Sequence, residues 1–557
     1  MTGSPRSRTA GHILVDRIHA HGVRTAFCVP GESFLPILDA FHDRSDLQLI
    51  TCRQEGGAAF MAEAYGRLTG RPGVCLVTRG PGATNASIGV HAAMQASTPM
   101  ILIVGQVPRA FLGREAFQEV DIPAMFAPLA KWSAQVPSAQ RMHEYVDRAF
   151  HVAVTGRPGP VVLAAPEDVL SGLVDTETSL TTASRPTEGA ADPSSLLHAL
   201  ASARRPLVVV GGGGWTASAA GHIAEWAERN ELPVAAEFRC QDYVDNESPA
   251  YVGELGLGAN PALVRRTAEA DVLLVIGSRL GEITTQGYRT IEVGDGRQRL
   301  LHVGPDPDEI GSLYATEIGV TATSTAIASA LAAAEAIRGP WGEWSRQARA
   351  DFEQWRVPKP SRETFDLGLA VAAIDELLPD DAVITNGAGN YTAWVQRFCR
   401  FRSYGTQLAP ASGAMGYGLP AAITAKLTAP DRTVIAFAGD GCLLMNGQEL
   451  ATAMRYNLAI VVVVINNGIL GTIRMHQEAR YPGRRSGTDL TNPDFVAYAR
   501  SFGALAWRVT TTEEVGPALA EAVASGRPAL IELQAAPAVI SPTRRIVMTG
   551  AGGLIDG

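Results

Sequence analysis

The chain has 557 residues, a length typical of roughly three or four compact domains. Its 47 Lys and Arg against 56 Asp and Glu give a formal net charge of −9, which argues against nucleic-acid binding and against polybasic attachment to a membrane. Hydrophobic residues make up 46% of the chain and Gly occurs 57 times, which excludes a disordered chain and indicates a compact protein with many tight turns.

The cysteines are scattered, and none belongs to a CxxC pair, so we expect buried, reduced thiols rather than disulfides or a zinc site. They are Cys28, Cys52, Cys75, Cys240, Cys399 and Cys442. No apolar segment follows the basic residues near the N-terminus, which argues against a secretory signal. The longest apolar run, residues 459–465, is too short to span a bilayer. We therefore expect a cytoplasmic protein without membrane contact.

Helical and strand patterns alternate along the first third of the chain, as is typical of βαβ units in a parallel sheet. Predicted helices cover residues 10–21, 34–42 and 57–69. Predicted strands cover residues 25–29, 47–51, 74–78 and 99–104, and a turn is predicted at 79–82.

Two polar connectors, residues 175–193 and 338–363, divide the rest of the chain. The block between them has strand-like segments at 206–210, 271–276 and 300–307. The last block has strands at 382–385, 433–438, 459–465 and 529–533 and a helix at 447–456. The uniformly apolar strand 459–465 is typical of a central parallel strand. We predict an α/β protein with three doubly wound parallel-sheet domains at residues 1–175, 190–340 and 360–545.

Two loop motifs in the last block predict a site for a metal and a diphosphate. Gly439-Asp440-Gly441 and Asn466-Asn467-Gly468 each follow a strand, so both lie at the carboxyl ends of parallel strands, where such sheets bind ligands. Carboxylate and amide oxygens suit Mg²⁺, and the glycines let phosphate approach the backbone. Each motif alone is usually an ordinary turn, but the pair separated by a helix and a strand is specific.

This pair resembles the motif of thiamine-diphosphate-dependent enzymes, which begins with GDG and ends with NN. The resemblance implies a domain order of pyrimidine-binding, central and diphosphate-binding domains, the fold of that family. It implies that Asp440, Asn467 and the backbone carbonyl of Ile469 bind Mg²⁺. It further implies a diphosphate lined by Gly441, Cys442, Leu470 and Gly471.

Motifs elsewhere extend the resemblance over nearly the whole chain. Glu55, within Arg53-Gln54-Glu55-Gly56-Gly57, matches the family's glutamate, whose carboxyl hydrogen-bonds the aminopyrimidine and promotes loss of the C2 proton. The segment 412–420 resembles the one in which a bulky side chain, here Met415 beside Gly413, supports the bent cofactor.

Three further segments, 78–85, 105–108 and 113–119, most resemble the catalytic subunit of acetohydroxyacid (acetolactate) synthases. By this resemblance Pro81 and Asn85 belong to the wall of the cofactor site and Gln118 lines the reaction cavity. It also implies a homodimer or homotetramer with active sites between subunits, Glu55 coming from one chain and the metal site from its partner.

The chain departs from the synthase pattern at four places. Glu32 follows Pro30-Gly31 where synthases carry Gly; its carboxylate could relay protons and repel an anionic second substrate, or be a solvated loop acid. Asn390 lies in a segment that has lost the synthases' histidine, but it could still donate to phosphate. His476 replaces their tryptophan and could exchange protons, or be an exposed polar residue. Arg279 fits part of the synthases' flavin-binding pattern, whereas the residues around Arg279 fit that pattern poorly. The glycine run 211–214 is only weak evidence for a bound nucleotide.

We therefore expect decarboxylation of a 2-oxo acid with carboligation, dependent on thiamine diphosphate and Mg²⁺ and acetolactate synthase-like. The alternatives are a 2-oxo acid decarboxylase, a sulfoacetaldehyde acetyltransferase and a 2-hydroxyacyl-CoA lyase. An alternative outside this class is a non-catalytic binding protein with the same fold. The presence of Glu55, Asp440 and Asn467 together argues against it. Flavin (FAD) and a small regulatory subunit are left open by the resemblance.

Overall fold

A computed structural model describes residues 8–174, 189–291, 298–361, 364–547 and 552–556. The chain folds into two compact units, Met1–Thr187 and Glu188–Gly557. The first unit contains one six-stranded sheet and the second contains two. Every pairing between neighbouring strands in these three sheets is parallel. The predicted α/β class with three parallel-sheet domains is confirmed, and the boundaries assigned to those domains stay predictions.

The sheet of the first unit is flanked by helices. Numbered in chain order, its strands lie side by side in the order 2-1-3-4-6-5. They are Thr25–Cys28, Gln48–Thr51, Gly73–Val77, Met100–Gln106, Trp132–Gln135 and Pro160–Pro166. A separate antiparallel pair joins Arg8–Thr9 to Leu173–Val174.

The second unit contains two sheets with different strand orders. The central sheet has the order 3-2-1-4-5-6, which is typical of dinucleotide-binding domains. Its strands are Pro206–Val210, Val234–Glu237, Tyr251–Leu255, Val272–Ile276, Arg299–Gly304 and Ile318–Thr321. The third sheet repeats the order 2-1-3-4-6-5 of the first unit. Its strands are Val383–Asn386, Gln407–Leu408, Val434–Gly439, Val461–Asn466, Leu505–Val509 and Ala529–Gln534.

Helices connect the strands in all three domains. In the first unit they are Ala10–Ala20, Leu35–His42, Glu55–Thr69, Gly80–Ala96, Ile122–Phe126, Met142–Val154 and Glu167–Leu170. Around the central sheet they are Ser194–Ala201, Ala217–Arg229, Pro261–Glu269, Ser324–Ala333 and Gly342–Arg356. Around the third sheet they are Leu367–Leu377, Thr392–Phe398, Gly418–Thr428, Asp440–Leu443, Leu450–Arg455, Gly471–Arg480, Phe495–Ser501 and Val515–Ala524. A small antiparallel sheet follows, made of Val539–Ser541, Arg544–Ile546 and Leu554–Asp556.

Three predicted segments differ from the structure. The turn predicted at 79–82 is the start of the helix Gly80–Ala96, because a proline in the first helical turn needs no N–H partner. The connector predicted at 338–363 contains the helix Gly342–Arg356, which buries only Ala348 and Phe352 and therefore looks polar in sequence. The helix predicted at 447–456 begins with a 3₁₀ turn, Gly447–Glu449. The predicted linker at 175–193 lies outside the described residues up to position 188.

In the third sheet, burial and strand length explain which strands the sequence predicted. Val461–Asn466 lies between two neighbours in the third sheet and buries its first five residues, so its apolar run was recognisable. The strands at the two edges, Gln407–Leu408 and Leu505–Val509, were missed because one has two residues and the other buries only Ala506 and Val509.

The six cysteines are all free and buried, as predicted. Burial raises the pKa of the Cys28 thiol to about 12, so this thiol stays protonated at neutral pH. Within the described ranges, no helix is both long and apolar enough to cross a membrane.

A 3₁₀ turn, Gln241–Tyr243, joins the central domain to the edge of the third sheet. The Oδ2 atom of Asp242 accepts hydrogen bonds from the backbone N–H groups of Gly405, Thr406 and Gln407, at 2.9, 3.1 and 3.2 Å. The contact pairs these N–H groups at the edge of the sheet and links the central domain to the third domain.

A buried carboxyl, Glu254, lies in the same junction. Its Oε1 accepts hydrogen bonds from the backbone N–H of Arg239 at 2.7 Å and from Nε2 of Gln396 at 3.4 Å. Burial raises the pKa of Glu254 from 4.5 to about 7, and the Arg239 N–H and guanidinium offset only part of this effect. Because the folded protein holds this proton more tightly than the unfolded chain, Glu254 destabilises the fold increasingly as pH rises from 4.5 to about 7.

Glu254→Gln removes the charge and keeps the shape of the side chain. We expect the variant to be more stable than the unchanged protein at about pH 8.5, by at most about 3 kcal/mol, with a much smaller gain at about pH 5. Thermal melts of both proteins at the two pH values measure the difference. Glu335→Gln, at an exposed position, is the matched control. An equal gain at both pH values would contradict the raised pKa.

Candidate cofactor and metal site

The carboxyl edge of the third sheet gathers the loops that carry most of the predicted site. The strand order 2-1-3-4-6-5 makes the gap between the first and third strands a topological switch point, where open α/β sheets bind ligands. The loops that leave this edge begin after Asn386, Leu408, Gly439, Asn466 and Gln534.

Asp440 is 3% exposed and begins the short helix Asp440–Leu443. Its Oδ1 accepts a hydrogen bond from the backbone N–H of Gly441 at 2.9 Å. Its Oδ2 accepts two, from the N–H of Gly468 and from Nδ2 of Asn492, both at 2.8 Å. Because each carboxylate oxygen has about two acceptor positions, these contacts fill Oδ2 and leave one position on Oδ1.

Asn467 lies in the turn after the strand Val461–Asn466. Its Oδ1 accepts the N–H of Ile469 at 3.2 Å, which leaves a second acceptor position on this amide oxygen. Ile469 is buried against Ile540 and Ile546 of the small C-terminal sheet. The residues therefore offer oxygens of the kind that Mg²⁺ takes. Within the described ranges, no group of three or more His, Cys, Asp or Glu gathers as a metal site, so such a site would need amide and carbonyl oxygens.

Gly441 lies where side chains from three loops converge. A Cβ atom at this position would lie 3.0 Å from Leu470, 3.2 Å from Leu490 and 3.8 Å from Met415. The structure thus brings Met415, Gly441 and Leu470 together, although they are far apart in sequence. Gly471 lies beside Asn467, since a Cβ on Gly471 would be 3.5 Å from its Nδ2.

Cys442 is 3% exposed and contacts the loop that follows the first strand of this sheet. Its sulfur lies 3.5 Å from the hydroxyl of Tyr391 and 3.3 Å from the N–H of Gly416. The hydroxyl of Tyr391 in turn accepts the N–H of Gly387 at 3.0 Å. These contacts place Cys442 beside Gly416, in the loop that also contains Gly413 and Met415.

Three other predicted residues of this unit, Asn390, Gly413 and His476, are not among the hydrogen-bond partners of Asp440 that the described residues provide. Asn390 uses its side chain within the protein: Nδ2 donates to the carbonyl of Ile540 and Oδ1 accepts the hydroxyl of Thr472, both at 2.8 Å. Gly413 has φ +67° and open space around it. His476 is exposed on the helix Gly471–Arg480.

In the first unit, Glu55 and Asn85 are in direct contact. Nδ2 of Asn85 donates to Oε2 of Glu55 at 2.9 Å. Glu55 is the first residue of its helix, capped by Gln54, and Asn85 lies on the helix Gly80–Ala96. The helices approach closely because Gly89 faces Ala59, where a Cβ would lie only 2.4 Å from that of Ala59. Small residues thus make the Glu55–Asn85 contact possible.

Glu32 lies near a shared arginine. The Glu32 carboxylate is 62% exposed, and its Oε1 is 3.7 Å from a guanidinium nitrogen of Arg79. The same guanidinium donates to Glu167 at 3.0 Å and is only 12% exposed. Arg79 stands at the switch point of the first sheet, after the third strand, and Glu32 stands after the first.

Gln118 lies in the neighbouring loop, in a strained conformation. Its φ is +65°, unusual for a residue with a side chain, and its carbonyl accepts the N–H of Gly80 at 2.9 Å. Its side-chain Oε1 is buried without a hydrogen-bond partner. Strain and an unpaired buried acceptor are features that functional sites often retain. Pro81 is exposed in the first turn of the adjacent helix.

The central domain has a glycine loop after its first strand, at the switch point of the sheet, and an acid at the end of the neighbouring second strand contacts this loop. Glu237, at the end of the second strand, accepts the N–H of Gly212 at 2.9 Å and the hydroxyl of Thr284 at 3.4 Å. Burial raises the pKa of Glu237, and Ser278, Arg279 and Gly212 partly offset this effect. The Gly212 N–H that a phosphate would use is therefore engaged by a carboxylate.

Sequence reasoning missed Asn492, Tyr391, Arg79 and Glu167. Asn492 precedes a proline, a pattern that predicts only a turn. Arg79 was included in a matched motif, but its contact with Glu32 spans 47 positions, and no spacing in the sequence indicates it.

Three models of thiamine pyrophosphate enzymes match the chain; thiamine pyrophosphate is another name for thiamine diphosphate. The N-terminal TPP-binding domain matches residues 8–125, the central domain 194–331 and the C-terminal TPP-binding domain 387–533. A probable acetolactate synthase large subunit of Methanocaldococcus jannaschii is 33% identical over 97% of this chain and 93% of its own length. The chain belongs to the thiamine pyrophosphate enzyme family.

Other relatives of this thiamine pyrophosphate enzyme carry similar names. The acetolactate synthase isozyme 2 large subunit of Escherichia coli is 32% identical, covering 93% of this chain and 94% of its own. The acetolactate synthase large subunit of Parasynechococcus marenigrum is 33% identical, covering 95% and 88%. The predicted resemblance and the prediction of a thiamine-diphosphate-dependent enzyme are confirmed.

Proposed function

We propose that this enzyme decarboxylates a 2-oxo acid and joins the remaining fragment to a second carbonyl compound, with thiamine diphosphate and Mg²⁺, as an acetolactate synthase-like carboligase. The observation that carries the proposal is the grouping of Asp440, Gly441, Asn467 and Leu470 at one sheet edge, with acceptor positions left on both oxygen ligands. The names of the relatives support carboligation. When bound, thiamine diphosphate supplies an electron sink that permits loss of CO₂ from a 2-oxo acid.

The third domain would hold the diphosphate and the metal. Asp440 Oδ1, the Asn467 amide oxygen and the Ile469 carbonyl would bind Mg²⁺, which neutralises phosphate charge. The backbones of Gly441, Cys442, Leu470 and Gly471 would line the diphosphate, and Met415 would support the bent cofactor. The fit rests on the open acceptor position of Asp440 and the bare Cα of Gly441.

The first unit would supply the acid–base group. Asn85 engages Oε2 of Glu55, so Oε1 is the oxygen that would hold a proton against the aminopyrimidine nitrogen. Pro81 and Asn85 would wall this site and Gln118 would line the substrate side. We propose a homodimer or homotetramer in which Glu55 and the metal site of one active site come from different chains. A cytoplasmic location is part of the proposal, and the "large subunit" names of the relatives support a small regulatory partner.

A screen of 2-oxo acids tests the proposed reaction. The apo-protein is supplied with thiamine diphosphate and Mg²⁺, and CO₂ release and product identity are read together. We expect pyruvate to give acetolactate. Acetaldehyde as sole product would favour the decarboxylase alternative. Release of sulfite and an acetyl-group product from added sulfoacetaldehyde and phosphate would favour the acetyltransferase, and cleavage of added 2-hydroxyacyl-CoA esters alone would favour the lyase. Lack of metal-dependent binding of thiamine diphosphate in calorimetry would end the whole proposal.

Glu55→Gln tests the acid–base role. We expect exchange of the cofactor's C2 proton, followed by NMR in deuterium oxide, to slow by about 10²- to 10⁴-fold, because the amide cannot exchange the proton. Binding of thiamine diphosphate and Mg²⁺ should stay within a few fold. Glu144→Gln, at an exposed position of the same unit, should change neither quantity. Unchanged exchange in Glu55→Gln would refute the role.

One observation favours protonation over carboligation as the fate of the fragment. Arg79 has two carboxylate neighbours, Glu32 and Glu167, so the formal charges of these three side chains sum to −1. An anionic acceptor that approached Glu32 would be repelled, whereas a proton donor would be assisted. The decarboxylase alternative therefore stays a second candidate.

Glu32→Gly should raise the ratio of carboligation to protonation with the 2-oxo acid that the screen identifies. The expected change is about fivefold, because two unit charges about 4 Å apart in water interact by about 1 kcal/mol. Arg79→Met should lower the ratio, since it leaves both carboxylates uncompensated, and Arg79→Lys should change it less. A ratio that is equal in all these proteins would make Glu32 a solvated loop acid.

A flavin in the central domain stays an open question, for which Arg279 and the 211–214 glycine run are the sequence features. The engagement of the Gly212 N–H by Glu237 means that a phosphate bound there would have to displace a carboxylate. The proposed reaction draws on no redox chemistry. The visible absorbance of the purified protein, before and after denaturation, tests for a bound flavin.

A further inference from the structure

Asn492 links the two halves of the metal motif. Its Nδ2 donates to Oδ2 of Asp440 at 2.8 Å and to Oδ1 of Asn466 at 3.0 Å. Asp440 follows the third strand of its sheet and Asn466 ends the fourth. One amide group therefore connects the GDG loop to the NN turn.

The amide of Asn492 is held in one orientation by a chain of further contacts. Nδ2 of Asn466 donates to Oε1 of the buried Glu532 at 2.8 Å, and the other oxygen of Glu532 accepts Nε of Arg508 at 2.9 Å. Since Asn466 donates to Glu532, its oxygen is the atom that faces Asn492. Asn492 must therefore present its N–H₂ group to both Asn466 and Asp440.

The contact decides which oxygen of Asp440 is available. With the N–H groups of Gly468 and Asn492 both on Oδ2, this oxygen has no further acceptor position, whereas Oδ1 keeps one beside the N–H of Gly441. Without Asn492, Oδ2 would keep only the Gly468 N–H, and both oxygens could then approach a single cation.

We propose that Asn492 is a positioning residue that makes Asp440 a one-oxygen ligand and so favours Mg²⁺ over Ca²⁺; this rests on the proposed function. Mg²⁺ requires near-ideal octahedral geometry and takes single oxygens, whereas Ca²⁺ accepts six to eight oxygens and readily binds a carboxylate through both. A carboxylate that offers one oxygen therefore suits Mg²⁺, and a carboxylate that is free to offer two suits Ca²⁺.

Asn492→Ala tests the proposal through binding rather than turnover. Apo-protein with saturating thiamine diphosphate is titrated with Mg²⁺ and, separately, with Ca²⁺ in a calorimeter. We expect the Mg²⁺ affinity to fall by about 10- to 100-fold, the usual effect of removing a partner of a metal ligand. The Ca²⁺ affinity should fall by clearly less, so the ratio of the two affinities moves toward Ca²⁺.

Three further variants complete the design. Asn492→Leu keeps the approximate side-chain volume, has no N–H to donate to Oδ2 of Asp440 and adds no charge, so the ratio again moves toward Ca²⁺ even if Asn492→Ala folds poorly. Thr491→Ala, at the exposed neighbouring position, should leave both affinities unchanged. Asn467→Ala, which removes a proposed ligand, should lower both affinities to a similar extent.

The outcomes separate this inference from the proposed function. If the unchanged protein binds thiamine diphosphate with Mg²⁺, and both Asn492 variants keep its Mg²⁺-to-Ca²⁺ ratio, the inference is wrong and the proposed function stands. A uniform loss for both ions would likewise overturn it and make Asn492 a structural residue. If the unchanged protein shows no metal-dependent binding, the proposed function fails and the inference fails with it.

Discussion

The uniform direction of the strands is the constraint on which the site depends. Because every strand in the three sheets runs parallel to its neighbours, the loops that follow the strands of one sheet all leave at the same edge. In the third sheet this edge collects Asp440, Asn467, Met415 and the loop of Tyr391 from four different strands. The order 2-1-3-4-6-5 opens a gap there between the first and third strands, and the same order in the first unit places Glu32 and Arg79 on either side of the corresponding gap.

Hydrogen-bond capacity then decides what the buried polar groups can do. Asp440 is nearly inaccessible, so its charge needs partners, and three donors satisfy three of its four acceptor positions. The remaining position is the one that we propose for a cation. Glu237 of the central domain shows the opposite case, since its carboxylate binds the glycine-loop N–H that a phosphate would need. Similar glycine loops in one chain therefore have different ligand capacities.

Charge distinguishes the first unit from the synthase pattern. Where that pattern has a glycine, this chain has a carboxylate, and the same edge adds an arginine and a second carboxylate. Glu167 holds the Arg79 guanidinium in place near Glu32. One guanidinium does not neutralise two carboxylates, so the formal charge of the three side chains stays negative. The side chains of Glu32, Arg79 and Glu167 therefore make this edge more negative than it would be with a glycine at position 32.

The sequence by itself determined the fold class, the parallel sheets and the identity of the principal loops, because apolar strands, glycine turns and the GDG and NN motifs are local patterns. It also indicated Glu55, Asp440 and Asn467 through a family resemblance. Only the tertiary structure decided that Asn85 holds one oxygen of Glu55, that Asn492 holds one oxygen of Asp440, and that Asn390 is used by Thr472 and Ile540. It also placed Arg79 beside Glu32. These contacts join residues that are distant in the chain, and strand order and close helix packing, which no local pattern encodes, bring them together.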